Sequence, residues 1–213
     1  MKCLSMEIPG KKKCGENQVG CPCPKNGNPM LNSISKVVDC YIARTRPGNC
    51  LLPKEEERHY KTQQTLADAI KAAGMAERGP DCRRHSHQYR IAAADLKTWT
   101  TTLLSNETSI DHCKLYNQLH LLFTHLKTPG IGPLTVYDTA LRIGYFKKIY
   151  PVEVYLHAGT AHGATALGDW RGREKLLINE LPTEMGKLKP HEIEDCLCVC
   201  KNQLHWLCIK GLL

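Results

Sequence analysis

Aromatic side chains are scarce in this sequence. Phe, Trp and Tyr make up 6% of its 213 residues, and two of them are Phe. The core must therefore be largely aliphatic, and a platform that stacks successive bases of a single strand is not expected. Long apolar runs are missing too. No stretch approaches the roughly 18 residues of a membrane span, and Met1–Gly10 carries Lys2 without an apolar run of signal-peptide length. No window shows a strand-like alternation of useful length, and there is no internal repeat or low-complexity tract. These absences argue against a membrane partner, export and a sheet protein. The expected location is the cytoplasm, or the nucleus in a eukaryote.

Positive charge is in surplus. Lys and Arg total 29 against 21 Asp and Glu, a formal charge of +8 with a pI near 8.9. That balance favours a polyanionic partner. Cysteine is plentiful, with twelve residues. In a reducing compartment these are expected as free thiols or metal ligands rather than disulfides.

Residues 1–31 read as an irregular tail rich in Cys, Pro and Gly, with the basic run Lys11-Lys12-Lys13. Residues 32–213 read as one helical domain. Asn32 or Ser33 caps a helix with Ile34, Val37, Val38 and Tyr41 on one face, and Pro47-Gly48-Asn49 ends it. Pro53 opens a second helix, followed by Glu55-Glu56-Glu57 at its positive start. That helix is expected to run on through Leu66, Ala69, Ile70 and Ala73 to Gly74. A third begins near Ser86, with Tyr89, Ala92, Leu96, Trp99 and Leu103 at helical spacing. A fourth is capped by Ser109 and carries Leu115, Leu119, Leu122 and Leu126. Further helices are expected over about 152–167 and 191–209, with one turn over 176–181. The fold class is all-α: a multi-helix orthogonal bundle that contains a helix-hairpin-helix at about 112–146.

The hairpin segment is Leu126-Lys127-Thr128-Pro129-Gly130-Ile131-Gly132-Pro133-Leu134-Thr135. Gly130 and Gly132 permit positive φ and close backbone approach. Ile131 plugs the gap between the two helices. Pro133 suits the first position of the second helix, where a missing N–H costs nothing. The remaining amides at that helix start favour an anion, and a nucleic-acid phosphate is the natural one. Thr128 and Thr135 supply hydroxyls and Lys127 a charge. Arg83, Arg84 and Arg90, in the basic stretch Cys82–Arg90, extend the positive surface. The expected partner is a nucleic-acid backbone, above all double-stranded DNA.

Pro129, Gly130, Ile131 and Gly132, with Ala140 eight places beyond Gly132, resemble the core of the helix-hairpin-helix family, and the resemblance is confined to this segment. It implies binding to the DNA backbone without reading of sequence. The same hairpin occurs in base-excision DNA glycosylases, which are all-α. In that family a Pro and a short apolar run lead to a catalytic Asp, and some members place a Lys just inside the second hairpin helix. Here those positions fall on Tyr155 or Leu156 and on Leu134, so both chemical groups are missing. The resemblance therefore implies a glycosylase-like architecture without that chemistry.

Three other clusters hold candidate chemistry. Cys82, His85 and His87 offer thiolate and imidazole donors to zinc, or form a basic contact surface with solvated imidazoles. His157 and His162, in Tyr155–Ala164, mark either an active site or tight packing through Gly and Ala. Cys14, Cys21 and Cys23 are a second zinc candidate, although their spacing departs from the usual knuckle. No cofactor is expected apart from such zinc. Cys196 and Cys200 share a helix face with Ile193 and Leu204 and read as small apolar core residues. The leading expectation is a DNA- or RNA-backbone-binding protein without an evident catalytic role. A nucleic-acid-processing enzyme and a helical interaction module are the alternatives.

Overall fold

The computed structural model describes residues 27–44, 52–79 and 82–213. Among the described residues there are ten α-helices. They are α1 (Ile34–Arg44), α2 (Leu52–Lys61), α3 (Leu66–Gly74), α4 (Ala93–Leu104), α5 (Glu107–His112), α6 (Tyr116–Leu126), α7 (Pro133–Lys147), α8 (Ala158–Ala164), α9 (Pro190–Val199) and α10 (Lys201–Ile209). A two-stranded antiparallel ribbon, β1 (Val154–Tyr155) with β2 (Lys175–Leu176), pairs Val154 with Leu176. The fold is all-α, and no described helix is long and apolar enough to cross a membrane. The chain divides into two compact units, one over Leu52–Tyr150, the other over 27–44 and Pro151–Leu213.

In the first unit α7 is the central packing element: α2, α3 and α6 all lie against it, and α4 packs on α3. Leu96, Trp99, Leu119, Phe123, Ala140 and Ile143 are fully buried there. Trp99 and Phe123 are placed deep and meet edge to face at 5.8 Å. The expected single helix from Pro53 to Gly74 is in fact α2 and α3. Thr65 ends the continuity: its Oγ1 accepts from the Asp68 amide at 3.1 Å and donates to the Asp68 carboxylate at 2.7 Å, so its side chain starts a new helix. The next helix begins at Ala93 instead of Ser86. Only a 3-10 turn spans Ser86–Gln88, and Arg84 Nη1 donates to the Ile91 carbonyl at 2.8 Å. Tyr89, expected on the buried face, is exposed. Ser109 lies inside α5 and is not a cap. At the start of α6, Gln118 Oε1 reaches back to accept from the amides of Lys114 and Leu115.

The second unit has its own apolar core, built from Val37 and Val38 of α1, Val154, Leu176, Met185, Ile193, Leu197, Leu204 and Leu207. The α1 helix starts at the expected cap, with the Lys36 amide donating to Ser33 Oγ at 3.3 Å. Cys196 and Cys200 are buried in this core beside Ile193 and Leu204. The expected terminal helix is broken at Cys200 into α9 and α10. The expected helix over 152–167 is the strand β1 followed by the shorter α8. Gln203, fully buried in α10, holds residues 28–31: its Oε1 accepts from the Asn28 amide at 2.6 Å, and its Nε2 donates to the carbonyls of Asn28 and Leu31.

Candidate nucleic-acid interface and a histidine-carboxylate cluster

The α6–α7 turn has the expected geometry at Gly130, Ile131 and Pro133, whereas Gly132 shows neither positive φ nor close backbone approach. Gly130 has φ +81°, which only glycine adopts without strain. Ile131 is 4% exposed, so its side chain does fill the gap, and its amide donates to the Thr128 carbonyl at 3.2 Å. Pro133 occupies the first turn of α7, and Gly132 is the N-cap with φ −90° and ψ 170°. No side chain caps this helix, and its first turn carries no acidic residue. Nothing lies within 4 Å of the position that a Gly132 Cβ would take. The start of α7 is thus uncapped by any side chain and open on the Cβ side of Gly132, with the positive end of a 15-residue helix behind it.

The flanking residues divide. Lys127 is exposed and Thr128 half-buried at the turn. Thr135 is 5% exposed, so it offers little surface to a ligand. Asp95 of α4 stands against the turn: a Cβ on Gly130 would come within 2.7 Å of its Cγ. Arg83 and Arg90 are exposed, whereas Arg84 is half-buried and engaged with Ile91.

A second constellation of the same unit lies along α7. Arg142 is 2% exposed, and its Nε donates to Glu56 Oε1 at 2.6 Å. Its Nη2 donates to Gln88 Oε1 at 3.5 Å. Gln88 is fully buried and donates from Nε2 to Asp138 Oδ2 at 2.6 Å. His87 Nδ1 stands 3.4 Å from that same carboxylate oxygen. His85 and His87 meet edge to face at 4.5 Å, and the His87 amide donates to His85 Nδ1 at 3.3 Å. Burial would raise the Asp138 carboxyl, but the hydrogen bond from His87, the Arg142 charge and the bond from Gln88 together hold it below its usual range. Burial and then the Arg142 charge push His85 down to about 3, so its imidazole is neutral near pH 7.

His85 and His87 were legible as candidate ligands in the sequence, but Asp138, Gln88, Arg142 and Glu56 were not. No local signal joins them, because Asp138 lies 51 residues from His87 along the chain. Cys82 stands apart from this chemistry. It is disulfide-bonded, contrary to the expectation of free thiols, and its sulfur is not a thiolate donor. Cys113, Cys196 and Cys208 carry free thiols. The zinc candidates Cys14, Cys21 and Cys23 lie outside the described residues.

In the second unit, the helix that contains His162 packs tightly. A Cβ on Gly163 would collide with the Leu197 carbonyl, and one on Gly159 would stand 2.6 Å from Cys198 Sγ. His162 and His205 rings lie 4.6 Å apart, and His205 Nε2 is 2.8 Å from the His162 carbonyl. Tyr155 and Leu156 lie in and after β1, while Glu153 pairs with Lys175 at 3.2 Å. Neither a family model, nor a curated protein, nor a solved structure matches the chain.

Proposed function

We propose that the unit over Leu52–Tyr150 binds the sugar–phosphate backbone of nucleic acid, with duplex DNA as its partner, through the α6–α7 turn and without reading sequence. The observation that carries this reading is the uncapped start of α7 at Gly132, facing open space beyond the Ile131 plug. Backbone amides at such a helix start donate to phosphate oxygens, and phosphate contacts position a protein without specifying bases. Exposed Lys127, Arg83 and Arg90 supply counter-charge.

The test is duplex binding at two salt concentrations, with Gly132→Glu beside wild type. The φ of Gly132 is ordinary for any residue and its surroundings are open, so the variant keeps the fold and places a carboxylate where a phosphate would sit. Wild-type binding is expected to weaken steeply with salt, and the variant to bind at least ten-fold more weakly at the lower salt. Equal binding by the two proteins would remove the hairpin from the interface.

A further inference from the structure

Three donor side chains converge in the first unit: the imidazoles of His85 and His87, from the 3-10 turn before α4, and the carboxylate of Asp138, from α7. One ligand atom from each lies within 4.8 Å of the other two. His87 Nδ1 and Asp138 Oδ2 are 3.4 Å apart. Bonds of about 2.1 Å in a tetrahedral zinc site put neighbouring ligand atoms about 3.4 Å apart. That separation matches one edge of such a tetrahedron.

The geometry points to a binding site for a divalent transition-metal ion, zinc the best fit, held by His85, His87 and Asp138, with at least one coordination position left to water or an anionic oxygen. Two imidazoles with one carboxylate suit zinc or iron and not magnesium or calcium, which take oxygen donors.

Behind the ligands stands a fixed polar array. Gln88 donates to Asp138 at 2.6 Å and accepts from Arg142, and Arg142 pairs with Glu56 at 2.6 Å. Partners of this kind orient a ligating carboxylate. The His87 side chain is 43% exposed, so an ion has a way in and the open position faces solvent. The His87 amide bond to His85 Nδ1, at 3.3 Å, is the contact that coordination breaks, because metal binding through either ring nitrogen removes Nδ1 as an acceptor. Cys82 is replaced in the ligand set by a carboxylate that the sequence did not reveal.

Cobalt(II) is the probe, because its absorption separates sulfur ligands from nitrogen and oxygen ones. The full chain is freed of metal with a chelator and titrated with cobalt(II), and zinc is then added. One equivalent is expected to bind with the visible bands of a low-symmetry nitrogen–oxygen site and to be displaced by zinc. His87→Ala and Asp138→Asn are each expected to weaken that binding at least ten-fold, while Cys21→Ser with Cys23→Ser leaves it unchanged. His87 is exposed, so His87→Ala decides the matter even if Asp138→Asn disturbs the fold, which circular dichroism reports. Sulfur-to-cobalt charge transfer accounting for all the bound ion would overturn the site, as would wild-type affinity in the His87 variant.

Discussion

A carboxylate beside an anion seat works against it, and Asp95 is such a carboxylate. It stands against Gly130, on the turn whose amides are proposed to meet a phosphate. Two unit charges 4 Å apart interact by about 1 kcal/mol in water and more near a protein surface. Asp95→Asn keeps the shape and removes the charge. Its duplex affinity at low salt is expected to rise three- to ten-fold, an advantage that shrinks as salt increases. Fluorescence anisotropy at two ionic strengths measures it, and an unchanged affinity would place the phosphate away from Gly130. The basic residues separate by the same reasoning. Arg84 spends a guanidinium donor on the Ile91 carbonyl, so Arg84→Ala should lower stability by about 1–2 kcal/mol while leaving duplex binding nearly intact. Denaturant unfolding and anisotropy on the same variant test both halves. For Arg142, which is buried with Nη1 lacking a hydrogen-bond partner among the described groups, replacement by Met leaves Glu56 buried without its cation. A loss of about 3–5 kcal/mol is expected, read from the denaturant midpoint.

Elements are legible in a sequence when local chemistry dictates them, and the hairpin shows this best. Gly130 and Pro133 each meet a backbone requirement that few other residues satisfy, and Ile131 is the one apolar side chain available to fill the turn. Ile131→Ala removes a plug that is 4% exposed and should cost about 2–4 kcal/mol. Thermal unfolding checks the size. Hydrogen exchange checks the place, with protection expected to fall in α6 and α7 and not in α9. The α1 helix and the Cys196–Cys200 face were legible for a similar reason, since an apolar stripe at 3.6-residue spacing has one way to bury itself. The helix breaks were harder to read. At Thr65 a capping hydroxyl competes with helix continuation, and the periodicity on either side does not reveal which wins. At Cys200 the apolar stripe continues through the break, so the pattern hides it. The histidine-carboxylate cluster was half legible: His85 and His87 are neighbours in sequence, but Asp138, Arg142 and Glu56 reach them only through the packing of α2 and the 3-10 turn on α7. Side chains joined by tertiary packing leave no spacing to read.

The molecule as a whole carries +8, and a diffuse surplus of that size draws polyanions to any protein surface. Salt dependence can separate this background from a defined seat. Each phosphate neutralised by a cationic side chain adds about 0.9 to the slope of log K against log salt on duplex DNA. Arg83 and Arg90 are exposed in the unit that holds the hairpin. Arg171 is exposed in the other unit and pairs with Asp169 at 2.6 Å. The three alanine variants remove the same formal charge. If a particular surface binds DNA, Arg83→Ala and Arg90→Ala should each reduce the magnitude of the slope by about 1, and Arg171→Ala should leave it within error of wild type. Gly132→Glu should lower affinity at every salt concentration. Equal small changes in all three arginine variants would mean that the charge surplus acts diffusely, and the hairpin would then be a turn that packs two helices and holds no phosphate.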